Sequence, residues 1–511
     1  MKSKESSGLL KEMDLFTTVV PFLCILLLCV FFIKEPDLSA TVMSSIRSFL
    51  GDQLGSYYLI LGLGIFLCTI YMAFSRYGRI RLGDLAKPQY SSFQWGTMMF
   101  TAGLAADILF YSICEWMLYA TDPHISEMGA MQDWAATYPL FHWGPIPWGF
   151  YVSLAVPFGF MLHVRKRNKQ KYSEACRPLF GSLVDGWVGK IIDLVAVFAL
   201  LAGTATTFSL ATPLLSMAIS RVFGIAQTTG LTIAILIGVC CVYTVSVFFG
   251  MKGIMRSASC CTYLFFALLA YVFFLGGESL FIVETGLTAI GNLVQNFITL
   301  STWTDTLRTT SFPQNWTIFY WAYWMVWCVA TPFFIGSISK GRTIRQTVLG
   351  GYFYGLAGTF TSFIILGNYG LGLQMHGKLD ILSSFGVNGD LYQAIIMILE
   401  QLPLSKLVLI LLVLCMVTFY STSFDSIALV ASAYSYKQLG NDQTPDKRVK
   451  LFWAVFLIFL PIALIFSESS MVNLQSVSII AAFPVGIIMV LIIASFFKDA
   501  RLYLEETKGK N

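Results

Sequence analysis

The chain has 511 residues, of which 56% are hydrophobic, 15% aromatic and only 12% charged, with a net charge of +5. Apolar runs about 20 residues long recur from end to end, which marks an all-α polytopic membrane protein and excludes a soluble globular fold. The chain has no GxxxxGK[ST], HExxH or GxSxG run, so nucleotide hydrolysis and familiar hydrolytic chemistry lack their parts, and no catalytic residue is assigned.

Twelve transmembrane helices are predicted, near 15–33, 57–75, 94–120, 134–163, 188–221, 229–249, 259–276, 316–338, 348–370, 405–434, 450–467 and 473–497. Charge placement tests that reading independently. Basic clusters such as Arg76 to Lys87, Arg165 to Arg177, Lys340 to Arg345 and Lys447 to Lys450 fall on one side, with 26 of the 33 Lys and Arg in all. The positive-inside rule then places both termini in the cytoplasm, and the net charge reports topology, with no nucleic-acid partner. The first apolar run follows a lead of mixed charge and reads as a retained helix, not a cleaved signal.

Between the seventh and eighth spans, ESLFIVETGLTAIGNLVQNFITL reads as an amphipathic helix along the outer membrane surface. It divides the chain into 1–93 (N-terminus and two leading helices), 94–276 (five helices), 277–315 (the linker), 316–497 (five helices) and 498–511. This arithmetic fits two inverted five-helix repeats after two leading helices. Ten of the eleven cysteines lie in or beside apolar spans and none forms a CxxC or Cys/His metal spacing, so they read as small hydrophobes.

Residues 316–327 read WTIFYWAYWMVW, seven aromatics in twelve positions. Trp316, Tyr320, Tyr323 and Trp327 fall at i, i+4, i+7 and i+11, one stripe of a helix, with Trp324 beside it. Ring faces over a desolvated quaternary ammonium each contribute roughly 0.5 to 2 kcal/mol, so the stripe suits an aromatic box for a soft cation. The alternative is an interfacial aromatic belt, which needs only one or two rings near a helix end.

FPQNWTIFYWAYWMVW followed by SISKGRTIRQ, together with LFHWGPIPWGFY (140–151) and FYSTSFDS (419–426), resembles the betaine/carnitine/choline transporter (BCCT) family from the third helix onward. The resemblance implies a LeuT-type 5+5 inverted-repeat core, assembly as a homotrimer in the lipid bilayer of a bacterial plasma membrane, and transport of small onium compounds by alternating access. It also implies that Trp143, Trp148, Tyr151 and Trp324 form the substrate box, with Trp316, Tyr323 and Trp327 lining the route or closing it. The residues agree in part, since Pro145 and Pro147 interrupt a helix between Trp143 and Trp148 and free backbone groups that only a protein-lined cavity would satisfy. Tyr323 stands where many members have Trp, which weakens the ring face and adds a hydroxyl.

In the third span, TMMFTAGLAADILFYS carries Leu104, Ala105, Ala106 and Asp107 where many members have a glycine-rich break. An intramembrane carboxylate costs about 2.5 to 3.5 kcal/mol on insertion scales and normally has a partner. Asp107 therefore has two readings: a structural hydrogen bond or ion pair to another helix, or a counter-ion for a cationic substrate. The second resembles the choline-transporting members, which carry Asp at the matching place.

The resemblance also maps Phe419, Thr422 and Ser423 onto the sodium-site residues of sodium-coupled members, completed by backbone around Thr101 and Leu104. Sodium is thus the possible coupling ion, and no resident cofactor is expected. Thr262 stands where ion-independent carnitine exchangers have arginine. Hydroxyls in a span also bond back to their own helix, which is the ordinary alternative for Thr422 and Ser423. Thr204, Thr206 and Thr207 supply further oxygens or join helices, and Asp425 reads as a structural acceptor before a proton relay. The short tails lack the long charged extension of osmotically regulated members. Three functions follow as expectations: uptake of a choline-like cation with sodium or protons, ion-independent carnitine-type exchange, and a non-transporting sensor.

Overall fold

The computed structural model describes residues 11–102, 106–167, 169–439, 444–467 and 471–508, and among them no side-chain statement extends to 101–102, 246–258, 387–388, 425 or 471–473. The described chain is helical throughout, broken only by short connections and two isolated β-bridges, Met13 with Tyr436 and Arg81 with Thr343. Eight helices are long and apolar enough to cross a membrane, or ten if each of two bent pairs makes one crossing. The other two expected crossings correspond to the shorter apolar helix Thr229–Val245 and to the pair of helices flanking residues 103–105.

The helices that position the site are, in chain order, α1 (Leu15–Lys34), α2 (Gly55–Phe74), α3 (Ser92–Ala102), α4 (Ala106–Ala120), α5 (Met131–His142), α6 (Pro145–His163), α7 (Trp187–Phe223), α8 (Thr229–Leu275), α9 (Ser279–Thr302), α10 (Ile318–Trp327), α11 (Thr331–Ile338), α12 (Ile344–Ser362), α13 (Asn368–Met375), α14 (Ser405–Tyr434) and α15 (Met471–Lys508). The Trp-rich α10 lies at the centre, packed against α2, α6, α7 and α15.

Two features differ from the sequence reading. The predicted spans 229–249 and 259–276 share one helical run, since α8 carries helical backbone through 47 residues. The connecting residues GMKGIMRS contain no proline to end a helix, and Lys252 and Arg256 belong to the stretch whose side chains lie outside the description. The eighth span, read as continuous over 316–338, is bent by 55° between Pro313–Trp327 and Thr331–Ile338. Pro332, at the start of α11, cannot donate to a helix continuing from α10, so the chain turns through Cys328, Val329 and Ala330 first. The linker is the helix α9, as expected, turned by 110° from the end of α8.

The SISKGRTIRQ loop explains itself by anchoring. Thr343 and Gln346 form a capping box at the start of α12, satisfying orphan N–H groups at both positions. Arg345 Nε donates to Ala73 O (2.9 Å), Arg81 to Gly341 O (3.0 Å), and the Arg342 guanidinium sits 4.1 Å from the Trp95 ring centroid. Gly341 has φ of 85°, and a Cβ there would lie 2.9 Å from Lys87 O, so only glycine fits the turn.

Candidate functional site

The stripe does not act as one surface. A π-helical turn, Pro313–Thr317, precedes α10 and shifts Trp316 out of α-register with the rings that follow. Trp316 is half-buried against Tyr119 (ring centroids 5.6 Å apart), Tyr320 lies against His142 and Trp143, and Tyr323 turns to Asp107. Trp327 packs beside Gly203 of α7.

Trp324, beside the stripe, is the ring that meets the fourth-span aromatics. Its centroid lies 5.6 Å from Trp143, 5.5 Å from Trp148 and 4.7 Å from Tyr151, each at a tilt between 54° and 68°. The structure thus brings together the four rings named from the motif, and all are nearly buried, at 0 to 5% exposure. Trp321, facing the other way, packs on Gly62 and Phe141.

The break between α5 and α6 sets the ring positions. α5 ends at His142, Trp143 and Gly144 are non-helical, and α6 starts at Pro145, where the missing N–H costs nothing. The freed carbonyl of Trp143 accepts from Thr359 Oγ1 (2.9 Å), and Trp148 Nε1 donates to the same hydroxyl (3.4 Å). Gly355, one turn earlier on α12, gives the Trp148 ring its place: a Cβ there would lie 2.5 Å from two ring atoms. Neither Thr359 nor Gly355 was distinguishable by sequence from other small residues in that span.

Asp107 sits in the first turn of α4 at 4% exposure. Its Oδ1 accepts from the Ile108 N–H (3.1 Å), and its Oδ2 accepts from the Tyr323 hydroxyl, which also pairs with Thr207 Oγ1 of α7. Among the described residues no Lys or Arg forms an ion pair with it. It therefore joins α4 to α10 by hydrogen bonding, with no ion pair among the described residues. Of the other threonines, Thr206 joins α7 to α15 through Ser478 Oγ (2.8 Å), and Thr204 bonds back to Leu200 O (2.6 Å).

Sequence reasoning missed a second carboxylate. Glu115, two turns beyond Asp107 on α4 and fully buried, accepts from Trp143 Nε1 (2.7 Å) and from the Tyr119 hydroxyl. His142 Nδ1 lies 2.6 Å from that hydroxyl, and its Nε2 lies 2.9 Å from Thr317 Oγ1. The available signal was a second acidic residue inside the third span, within the apolar run FYSICEW.

The sodium-site candidates are less tightly gathered. Thr422 Oγ1 donates to Thr418 O and Phe419 O (both 3.1 Å), which leaves its oxygen lone pairs facing away from the helix backbone. Thr422 and Ser423 are half-buried, and Phe419 is buried with its ring 5.5 Å from Phe265. Leu104 and the Thr101 and Asp425 side chains lie outside the described residues. A hydroxyl whose hydrogen is turned back to its own helix fits a hard monovalent cation as well as it fits plain packing.

Interrupted helices around a buried group of rings and a carboxylate, inside a bundle of apolar helices long enough to cross a membrane, are the arrangement in which membrane transporters build binding sites. The family described as BCCT, betaine/carnitine/choline family transporter, matches residues 16–504, and the chain belongs to it. The chain is 31% identical over 474 residues to a probable glycine betaine transporter of Desulfitobacterium hafniense, covering 91% of this chain and 93% of that one. It is 28% identical over 429 residues to a carnitine transporter of Acinetobacter baumannii (83% and 77% covered). It is 29% identical over 511 residues to a glycine betaine transporter of Acinetobacter baylyi (98% and 75%).

Proposed function

We propose that this transporter carries a small quaternary ammonium cation of the choline type across a bacterial plasma membrane, coupled to sodium or to protons, with both termini cytoplasmic. The observation that carries the reading is Asp107, a buried carboxylate with no basic partner among the described residues, held by Tyr323, whose ring neighbours Tyr111 and through it Trp143 of the four-ring cluster. Rings alone recognise any trimethylammonium group. A fixed negative charge adds attraction for a net cation and repels the carboxylate of a zwitterion. Glycine betaine and carnitine, which name the relatives above, are both zwitterions, so on this reading the substrate of this chain differs from them in net charge.

Substrate would enter the cluster with its methyl groups against Trp143, Trp148, Tyr151 and Trp324 and its positive charge toward Asp107. Trp316 and Trp327 would then flank the route. The break between α5 and α6 and the bend between α10 and α11 are the places where the two sides of the bundle would open in turn. Sodium at Thr422 and Ser423 is the coupling we infer from the likeness of FYSTSFDS to the sodium-coupled members, whose hydroxyl oxygens suit a hard cation.

Uptake of labelled choline, carnitine and glycine betaine into proteoliposomes, under imposed sodium, proton and electrical gradients, tests this. The expected result is saturable, gradient-driven choline uptake that exceeds either zwitterion. Carnitine counterflow that ignores every gradient would establish exchange instead, and no transport of any of the three would leave a sensing role.

A further inference from the structure

Thr317, His142, Tyr119 and Glu115 form one unbroken line of hydrogen bonds that the onium cluster does not require. His142 Nε2 lies 2.9 Å from Thr317 Oγ1, its Nδ1 2.6 Å from the Tyr119 hydroxyl, and that hydroxyl donates to Glu115 Oε1. All four side chains are buried, at 3% exposure or less. The line ends at the box, because Glu115 Oε2 holds Trp143 Nε1 (2.7 Å) and the Trp143 ring faces Trp324. Its other end, Thr317, closes the π-turn that follows the 303–312 loop, where Gln314 reaches Thr304 O (2.9 Å). That is the side of the linker helix α9, which packs along α5.

Every inner member of the line can both give and accept a hydrogen. The groups around Glu115 leave it as the natural terminus. On its own helix stand Asp107 two turns away, Tyr111, Cys114 and Tyr119; from α5 come His142 and Tyr138; from α10 comes Tyr320, stacked on His142 at 5.0 Å. Among the described residues the one ion-pair contact to Glu115 is His142 Nδ1 at 3.6 Å, and α7, α12 and α14 bring no Lys or Arg within that range. Arg47, on the outer side, reaches Asn315 O (3.3 Å).

We propose that Glu115 is a proton-binding site, filled through Thr317, His142 and Tyr119, whose proton competes with the onium cation in the box. Resting on the transporter reading above, the step balances as one relay. A proton bonds to Thr317 Oγ while the hydroxyl hydrogen of Thr317 passes to His142 Nε2. The Nδ1 hydrogen passes to the Tyr119 oxygen, and the phenolic hydrogen passes to Glu115 Oε1. Tyr119, His142 and Thr317 end neutral with their hydrogen bonds reversed, and the carboxylate has become a carboxylic acid. A cation on the far face of Trp143 favours the ionised form of Glu115, so onium binding drives the proton back along the same line. Linkage makes the effect reciprocal: a filled proton site lowers onium affinity by the same factor. A proton released along this line returns to the side it came from, so the site makes onium affinity depend on pH and leaves the driving of uptake to another gradient.

Two measurements on the purified full chain test this. The infrared C=O absorption of protonated carboxylic acids should appear in the wild type on titration between about pH 5 and 9, the range open to buried carboxyls, and should lose the Glu115 component in Glu115→Gln while that of Asp107 stays. Calorimetry with choline in buffers of different ionisation enthalpy should show release of up to about one proton per choline, with most of it lost in Glu115→Gln. Tyr119→Phe breaks the relay and removes one hydrogen bond to Glu115 but keeps the carboxylate itself, so it should slow proton release in a stopped-flow dye assay while keeping the stoichiometry, and it covers the case where Glu115→Gln does not fold. No titrating band sensitive to Glu115, or choline binding in the wild type with no proton release across that range, overturns the proposal. A titrating Glu115 in a protein that binds no onium would instead sink the substrate reading and leave the proton site standing.

Discussion

Tyr323 gives its phenolic hydrogen to Asp107 Oδ2, and Thr207 holds the same hydroxyl from α7. The two departures from the family pattern are thus one arrangement: the carboxylate arrives in α4 and the hydroxyl that steadies it arrives in α10. A hydrogen bond to a charged group is worth roughly 1.5 to 3 kcal/mol, so Tyr323→Phe should lower thermal stability clearly in the wild type. In an Asp107→Gly background the same change should cost little. Melting temperatures of the four proteins in detergent give the coupling, and additive losses would show that the two residues act independently.

Ring chemistry separates the box from its packing. Trp324→Leu and Trp148→Leu should each remove most onium binding while the protein still folds, because leucine replaces volume without a quadrupole. Trp321→Leu should leave affinity nearly unchanged, since Trp321 packs on Gly62 and Phe141 away from the cluster. Equilibrium binding on the three purified variants checks this, and Trp324→Leu within about twofold of wild type would reduce Trp324 to packing.

Two glycines predict opposite readouts. A Cβ at Gly355 would lie 2.5 Å from Trp148 ring atoms, and one at Gly62 would lie 2.7 Å from Trp321. Gly355→Ala should push the Trp148 ring and lower onium affinity, whereas Gly62→Ala should lower melting temperature with affinity kept. Overpacking of this kind typically costs about 1 to 3 kcal/mol. Equal effects on affinity would mean that the cluster tolerates no strain anywhere in α10.

Coupling is read at α14. Thr422→Ala with Ser423→Ala removes two hydroxyl oxygens, so uptake should need much higher sodium without loss of membrane insertion. Uptake by the wild type that is equally fast in sodium and in potassium would remove sodium from the account.

The helices were legible because apolar run length is a local signal, and the meeting of Trp143, Trp148, Tyr151 and Trp324 followed from the family motifs. The rest was hidden for physical reasons. Trp316 joins the stripe of Tyr320, Tyr323 and Trp327 only if α-geometry holds throughout, and the π-turn at 313–317 breaks that assumption. Glu115 stays hidden in the sequence because its partner His142 is 27 positions away and only the packing of α5 on α4 brings them together. The join between 229–249 and 259–276 was read as a loop from two basic residues, although nothing in GMKGIMRS forbids helix.

The most direct test of a cation-selective transporter is the affinity of choline and of glycine betaine for the wild type and for Asp107→Gly. A carboxylate and a cation roughly 5 Å apart at an effective dielectric of about 20 attract by on the order of 3 kcal/mol before desolvation. Choline should therefore bind the variant at least about tenfold more weakly, while glycine betaine should bind as well or better. Equal losses for both ligands would contradict the account, reducing Asp107 to a residue that holds α4 against α10.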